Sequence, residues 1–406
     1  MSGKKKSIHY AWICCLAGML LFFITVGLSG NVYSVYQPYF RDAFLLTESR
    51  LAFMNTSRQI AGIAAMAVLG LYYRKLSLKW GMVLAAFTTV VGFVFMAFAS
   101  GYPMLLAGCL LTGFGNNLGG MVPISMMMDR WFIKDRSIAV SICSASSGIA
   151  TFLAPKIITE SIGQHGLTLT LAVQAGIMLF FTALCAILFC ESPEKKNLFA
   201  YGEEDEAAAQ AFARPDPPAL PKLIWLLIYL MMFIMGGLSG CAIATLPLLA
   251  KSQGYSDAVM ATSVSLAGIA LLAGKLLFGW LSERITQYKT TLLYGFIMTG
   301  GLILLCFSAL SPVLLYAGSI LYIGTLAMIA IGLVTWVTDW VPERTWAKFR
   351  QRWQLIFNIG CLIFSIVPGI LADRFGGSYL PTFYIYLGES AVCLIILFIT
   401  YRASRR

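Results

Sequence analysis

The chain has 406 residues, 59% of them hydrophobic and 12% charged, with a formal net charge of +11. Soluble domains carry about 25% charged residues, so the composition excludes an ordinary water-soluble protein. The basic excess does not indicate nucleic acid, because its placement follows a membrane pattern.

A helix that crosses a bilayer needs about 20 mainly apolar residues, and it must satisfy its own backbone hydrogen bonds. Twelve blocks meet this requirement: 10–35, 49–73, 80–99, 102–128, 138–160, 167–190, 223–250, 257–281, 290–309, 312–338, 353–372 and 380–401. Strand-like alternation is absent, which argues against a membrane barrel. The first block is too long for a cleavable signal and runs on into polar-aromatic sequence, so it reads as the first span. At its outer end Tyr33, Tyr36 and Phe40 follow i, i+3, i+7 spacing. They either present Tyr hydroxyls to an anion or form an interfacial aromatic belt.

Span 2 carries Arg58 about ten residues from its start. A charge at that depth costs about 2.5–3.5 kcal/mol, and Arg does not deprotonate. Its guanidinium therefore reads as a carboxylate-binding group or as one satisfied by carbonyls or a neighbouring carboxylate. Asn55 and Gln59 flank it and are expected to share its face. Span 4 places Asn116 and Asn117 within GFGNNLGG, where they serve cavity polarity or interhelix hydrogen bonding. Span 5 carries Lys156, a substrate contact or the partner of Glu160 at i+4.

Residues 192–221 are polar, acidic and proline-rich, and read as a linker with a short helix at 203–213. The expected organisation is a six-helix bundle over 1–191, this linker, and a second six-helix bundle over 222–406. In the second half, Lys275 of span 8 either attracts substrate or contacts a gate, or else snorkels to the nearby headgroups. Trp336 and Trp340 near the end of span 10 are interface anchors or gate packing, and Asn358 of span 11 resembles Asn116 and Asn117 in role. Glu389 is the clear mid-span carboxylate, on span 12, a possible proton-coupling group or a structural acid.

With the N-terminus inside, 22 of the 29 basic residues fall in inside segments, four outside and three within spans. This bias predicts a multi-pass protein of the cell (inner) membrane with both termini cytoplasmic. The ten cysteines lie in or at the ends of apolar blocks without metal-ligand spacing, so they read as packing residues. Neither a P-loop nor a nucleophile–base set appears, so neither an enzyme, a cofactor nor a metal is expected.

Gly70 opens GLYYRKLSLK after span 2 and Gly279 opens GWLSERITQYK after span 8, an offset of 209 residues; Trp131 and Trp340 share it. This points to a parallel internal repeat. Six-plus-six spans with these loops resemble the major facilitator superfamily. Gly279, Glu283 and Arg284 fit its gating-loop pattern, with Thr286 where a later glycine is usual. In the first copy, Arg74 stands at the usual acid and Ser77 at the usual glycine. DRWFIKDRSIAVSICSASSGIATFLAP, GKLLFGWLSERI and RQRWQLIFNIG are similar to the monocarboxylate and oxalate/formate group. In that group a basic residue of helix 8 stands four residues before the loop glycine, the position of Lys275. Leu271 replaces the acid of the monocarboxylate branch, and the helix 11 cation of the oxalate branch is missing, which favours a monocarboxylate over a dicarboxylate.

The resemblance implies an all-α bundle of two pseudo-symmetric halves, with helices 1, 2, 4, 5, 7, 8, 10 and 11 lining a central cavity. Those helices carry Arg58, Lys156 and Lys275 without mid-depth acids. The expected function is secondary active transport of a small organic anion such as lactate, pyruvate or formate, by a monomer, with proton symport or anion exchange. An exporter of amphiphilic drugs and a non-transporting solute sensor are the alternatives.

Overall fold

A computed structural model describes residues 9–46, 48–202, 220–240, 242–365 and 367–404, to which the structural statements refer. Eleven helices there are long and apolar enough to cross a membrane. In the first half the spanning helices begin with α1 (Tyr10–Phe22), α2 (Glu48–Lys75), α3 (Leu78–Ala97) and α4 (Tyr102–Leu118, continuing as Met121–Trp131). They are followed by α5 (Arg136–His165) and α6 (Leu167–Leu188). The second half begins with α7 (Lys222–Gly240, then Ala242–Ser252), α8 (Asp257–Ile285) and α9 (Gln287–Cys306). It ends with α10 (Pro312–Thr335), α11 (Trp346–Phe364, then Val367–Arg374) and α12 (Leu380–Ser404). The twelfth predicted span, α2, is less apolar but is 28 residues long, about 42 Å at 1.5 Å per residue.

Local chemistry starts several helices. Ser77, Ser256 and Ser311 accept hydrogen bonds from backbone N–H groups of the first turns of α3, α8 and α10, which satisfies otherwise orphaned donors. Pro312 follows Ser311 at a position whose N–H would be unbonded in any case.

The predicted repeat is visible in the packing. α2 packs on α4, α3 on α4 and α6, and α1 on α5; α8 packs on α10, α9 on α10 and α12, and α7 on α11. Each pairing of the first half thus has its counterpart in the second. The halves meet where α2 crosses α11 and α5 crosses α8, again equivalent pairs. Gly70 lies under Gln351 of α11, and Gly279 lies against Ser141 and Ser137 of α5. The loops after α2, α4, α8 and α10 share one end of the bundle, the basic-loop end.

Three features depart from the expected pattern. The first span is not one α-helix: after Phe22 it widens into a π-helix, Phe23–Asn31, and tightens into a 3-10 turn, Val32–Tyr36. The start of the 192–221 linker is docked. Tyr201 N–H donates to Trp131 O (2.8 Å), its carbonyl accepts from Ile133 and Lys134 N–H (3.0 and 3.2 Å), and its ring packs on Trp12 and Phe132. The expected helix at 203–213 lies outside the described residues. Third, Thr286 adopts φ 111° between α8 and α9, a left-handed backbone that favours the glycine usual there.

α8 and α10 approach at Gly274 and Gly324 so closely that a methyl group placed at Gly274 would collide with the Gly324 carbonyl. Gly274→Ala is therefore expected to destabilise the second half by about 1–3 kcal/mol. Thermal unfolding in detergent would show a lowered midpoint, and an unchanged midpoint would mean that the helices separate freely.

Candidate functional site

Arg58 enters the first half from α2 and lies against the end of the π-helix. Its Nη2 donates to Ser29 O at 2.5 Å and its Cζ stands 3.9 Å from the Tyr33 ring centroid. A widened helix releases backbone carbonyls from regular bonding, and Ser29 supplies one to the cation. Among the described residues no carboxylate pairs with Arg58. Arg58 as a whole residue is half-buried, its guanidinium held on one face by a ring and at one edge by a carbonyl. Such a group has donors left for an anion.

Several expected neighbours lie elsewhere. Asn55 Oδ1 accepts from Gln37 at 2.7 Å, so Asn55 turns to the chain after α1 and does not join Arg58. Gln59 directly follows Arg58 on α2; successive helical residues point about 100° apart, so the two do not share a face. Tyr33 supports Arg58, but its hydroxyl bonds to Cys109 Sγ at 3.2 Å. Tyr36 is buried, bonded to Gln174 and packed on Phe40 and Phe93. The aromatic group is thus core of the first half. It is neither an interfacial belt nor, at Tyr36, an open anion contact, because the tightened turn after the π-helix swings these rings inward. The Lys156 side chain lies outside the described residues.

Asn116 and Asn117 divide their roles. Asn117 Oδ1 accepts from Asn358 Nδ2 at 2.9 Å and Gln354 donates to Asn358 at 3.0 Å, a polar chain joining α4 to α11 across the halves. Asn116 Oδ1 is enclosed without a hydrogen-bond partner.

Lys275 does not snorkel. It is 5% exposed, and Nζ donates to Ser144 O (3.1 Å) and Ser147 Oγ (2.8 Å) of α5. Four residues on, Gly279 permits the same α5–α8 approach, and Glu283 Oε1 accepts from Ser137 N at 2.9 Å. Arg284 does not reach across; it lies over Trp280 of its own helix. Glu389 sits on α12 with both carboxyl oxygens unpartnered among the described residues.

The strongest interhalf link was not foreseen. Asp129 at the end of α4 is held by Arg136 Nε at 2.6 Å and by both terminal nitrogens of Arg350 on α11. Arg350 is 1% exposed, and its Nε donates to Val334 O at 2.7 Å. The Trp346 ring lies beside both guanidiniums. Gln351 adds a bond to Met66 O at 2.7 Å. Trp336 and Trp340 are buried beneath this link, Trp336 bonding Thr291 at 2.9 Å, so they pack the closed end and do not anchor an interface. The sequence signal for the link was an acid, Asp129, at the helix end beside the basic residues Arg130, Lys134 and Arg136.

A bundle of two equivalent helical halves, with polar groups between them and a bonded closure at one end, defines a multi-pass membrane protein. The Major Facilitator Superfamily model matches residues 18–324 and 228–406, and the chain belongs to that family. It is similar to MFS-type transporter hasB of Aspergillus fumigatus, 26% identical over 69% of this chain and 63% of that protein. It is also similar to the uncharacterized MFS-type transporter YhjX of Escherichia coli, 25% identical over 56% of this chain and 55% of that protein. The alignments thus span less than two thirds of these two relatives. The agnestins efflux protein AgnL12 of Paecilomyces divaricatus is 22% identical over 94% of this chain and 83% of its own length. Monocarboxylate transporter 12 of Xenopus laevis is 23% identical over 70% and 66%. Among solved structures, FucP in the outward conformation aligns with TM-score 0.70 at 17% identity, over 97% of this chain and 99% of its own. The proton:xylose symporter XylE aligns with TM-score 0.74 at 14% identity, over 96% and 95%. These structures share the fold. The chain is accordingly a multi-pass membrane protein of this superfamily.

Proposed function

We propose that this transporter carries a small organic anion, a monocarboxylate, by alternating access with proton symport or anion exchange. The observation that supports it most is Arg58: an intramembrane guanidinium without a carboxylate among the described residues, oriented by Ser29 and Tyr33. A carboxylate substrate would complete its hydrogen bonding. The sequence resemblance to the monocarboxylate and oxalate/formate group and the likeness to monocarboxylate transporter 12 support the same class. With the basic loops cytoplasmic, the bonded end is the cytoplasmic one, and the molecule is closed on that side. Glu283, Asp129, Arg350 and Lys275 then form the inner gate.

Uptake of a labelled carboxylate panel into proteoliposomes tests this reading. Saturable uptake of one monocarboxylate is expected, and its dependence on a pH gradient or on preloaded anion separates symport from exchange. Uptake of no acid by inserted protein would sink it. The second reading is efflux, favoured by the likeness to AgnL12 over nearly the whole chain; export of amphiphiles without uptake of acids would select it.

Lys275→Gln separates gate from binding. As a gate contact, Lys275 should when neutralised change the maximal rate by about tenfold, with the half-saturating concentration nearly unchanged. A change confined to half-saturation would move Lys275 into the binding site.

A further inference from the structure

Outside the transport path, a cavity of about 550 Å³ opens at the basic-loop end between α1, α3 and α6, lined among others by Tyr10, Ser77, Lys79, Trp80, Lys195 and Lys196. A second hollow of about 450 Å³ continues from Trp80 along the outer faces of α3 and α6, past Leu84, Phe87, Leu179 and Ala183. Trp80, shared by both, is 58% exposed, and Leu84, Phe87 and Leu179 are each 45–46% exposed. Outward-facing apolar side chains at these depths face lipid. A cationic mouth at the helix ends thus joins an apolar groove along the membrane face.

The charges at the mouth are unbalanced. Glu191 is taken up by Lys195 (2.6 Å), Arg130 (3.5 Å) and the Leu78 N–H (3.3 Å). The Lys195 hydrogen bond, first among these influences, holds its carboxyl below the usual carboxylate range, so it stays anionic and committed. Glu194 is hydrogen-bonded to Ser192. Among the described residues neither Lys79 nor Lys196 pairs with a carboxylate: they lie 5.3 Å from the Trp80 ring and 4.4 Å from the Tyr10 ring, and Lys196 also hydrogen-bonds Tyr10. Both lysines are therefore available to an anion, and an adjoining groove would accept hydrocarbon.

We propose that this composite of cationic mouth and apolar groove binds an anionic diacyl phospholipid, with Lys79 and Lys196 on the headgroup phosphate and an acyl chain along α3 and α6. A soluble phosphate would use the mouth but leave the groove empty; a zwitterionic lipid would use the groove without needing the lysines.

The test is native mass spectrometry of the purified full chain with phosphatidylglycerol, phosphatidylcholine or soluble glycerol phosphate as probe. Phosphatidylglycerol should be retained over phosphatidylcholine. The doubly substituted Lys79→Gln, Lys196→Gln chain should lose that preference by roughly fivefold per lysine. Ala183→Trp, which fills the groove on a lipid-exposed face, should lower phosphatidylglycerol retention without strengthening glycerol phosphate binding. The surface lysine variants keep the test readable if Ala183→Trp lowers yield. An unchanged preference in the lysine variant overturns the headgroup assignment. Full displacement of lipid by glycerol phosphate, or indifference to Ala183→Trp, overturns the lipid assignment.

Discussion

Arg58→Gln should slow uptake of the transported acid by about ten- to a hundredfold, the worth of one charge-assisted hydrogen bond in a desolvated site. Arg58→Lys should fall between, since an ammonium keeps the charge but not the planar fork. Initial rates in proteoliposomes, normalised to inserted protein, give the answer. The Tyr33 ring and one carbonyl of Ser29 do not neutralise this cation. Removing the charge from mid-membrane therefore relieves a burial cost, and the thermal midpoint of the Gln variant should hold or rise. Lost transport with undiminished stability identifies a substrate group. Near-normal transport in Arg58→Gln removes Arg58 from the site.

The second large effect is conformational. Asp129→Asn leaves the buried Arg350 guanidinium with Val334 O and the Trp346 ring in place of a carboxylate. Breaking a buried ion pair by deleting one partner costs about 3–5 kcal/mol. That cost falls on the state in which the basic-loop end is closed, so the balance should move toward opening by about two to four orders of magnitude. A cysteine introduced as Ser141→Cys, buried against Gly279 in the closed form, reports the shift through faster alkylation. Adding Arg350→Met to Asp129→Asn should slow alkylation again, because an apolar replacement removes the buried charge at Arg350, while Arg136 is more exposed. Equal alkylation rates with and without Asp129→Asn would show that the pair does not hold this end shut.

The twelve spans and their pairing in two sets were legible because bilayer thickness and backbone satisfaction leave a chain few choices, and Gly70 and Gly279 marked equivalent crossings. What sequence could not supply was direction around each helix. Asn55 and Gln59 looked like companions of Arg58, yet a bond to Gln37 takes one away and helical phase takes the other. Tyr33, Tyr36 and Phe40 kept their spacing but not their exposure, since nothing in FITVGLSGN announces a π-helix. Asp129 was obscured because its value lies in Arg350, 221 residues later. The candidate site was read as a set of cations; the structure separates Arg58, inside one half, from Lys275, between the halves.

That separation gives Lys275 a mechanical meaning. In the closed seam its ammonium has traded water for two oxygens of α5, without a carboxylate to offset the loss of hydration. When the seam parts, water returns to it. In the proposed alternating-access cycle, closure would wind a spring that opening releases, with the Asp129–Arg350 clasp as the counterforce. Two such opposed loads would let the modest energy of one small ligand tip the balance between the two states of the proposed cycle.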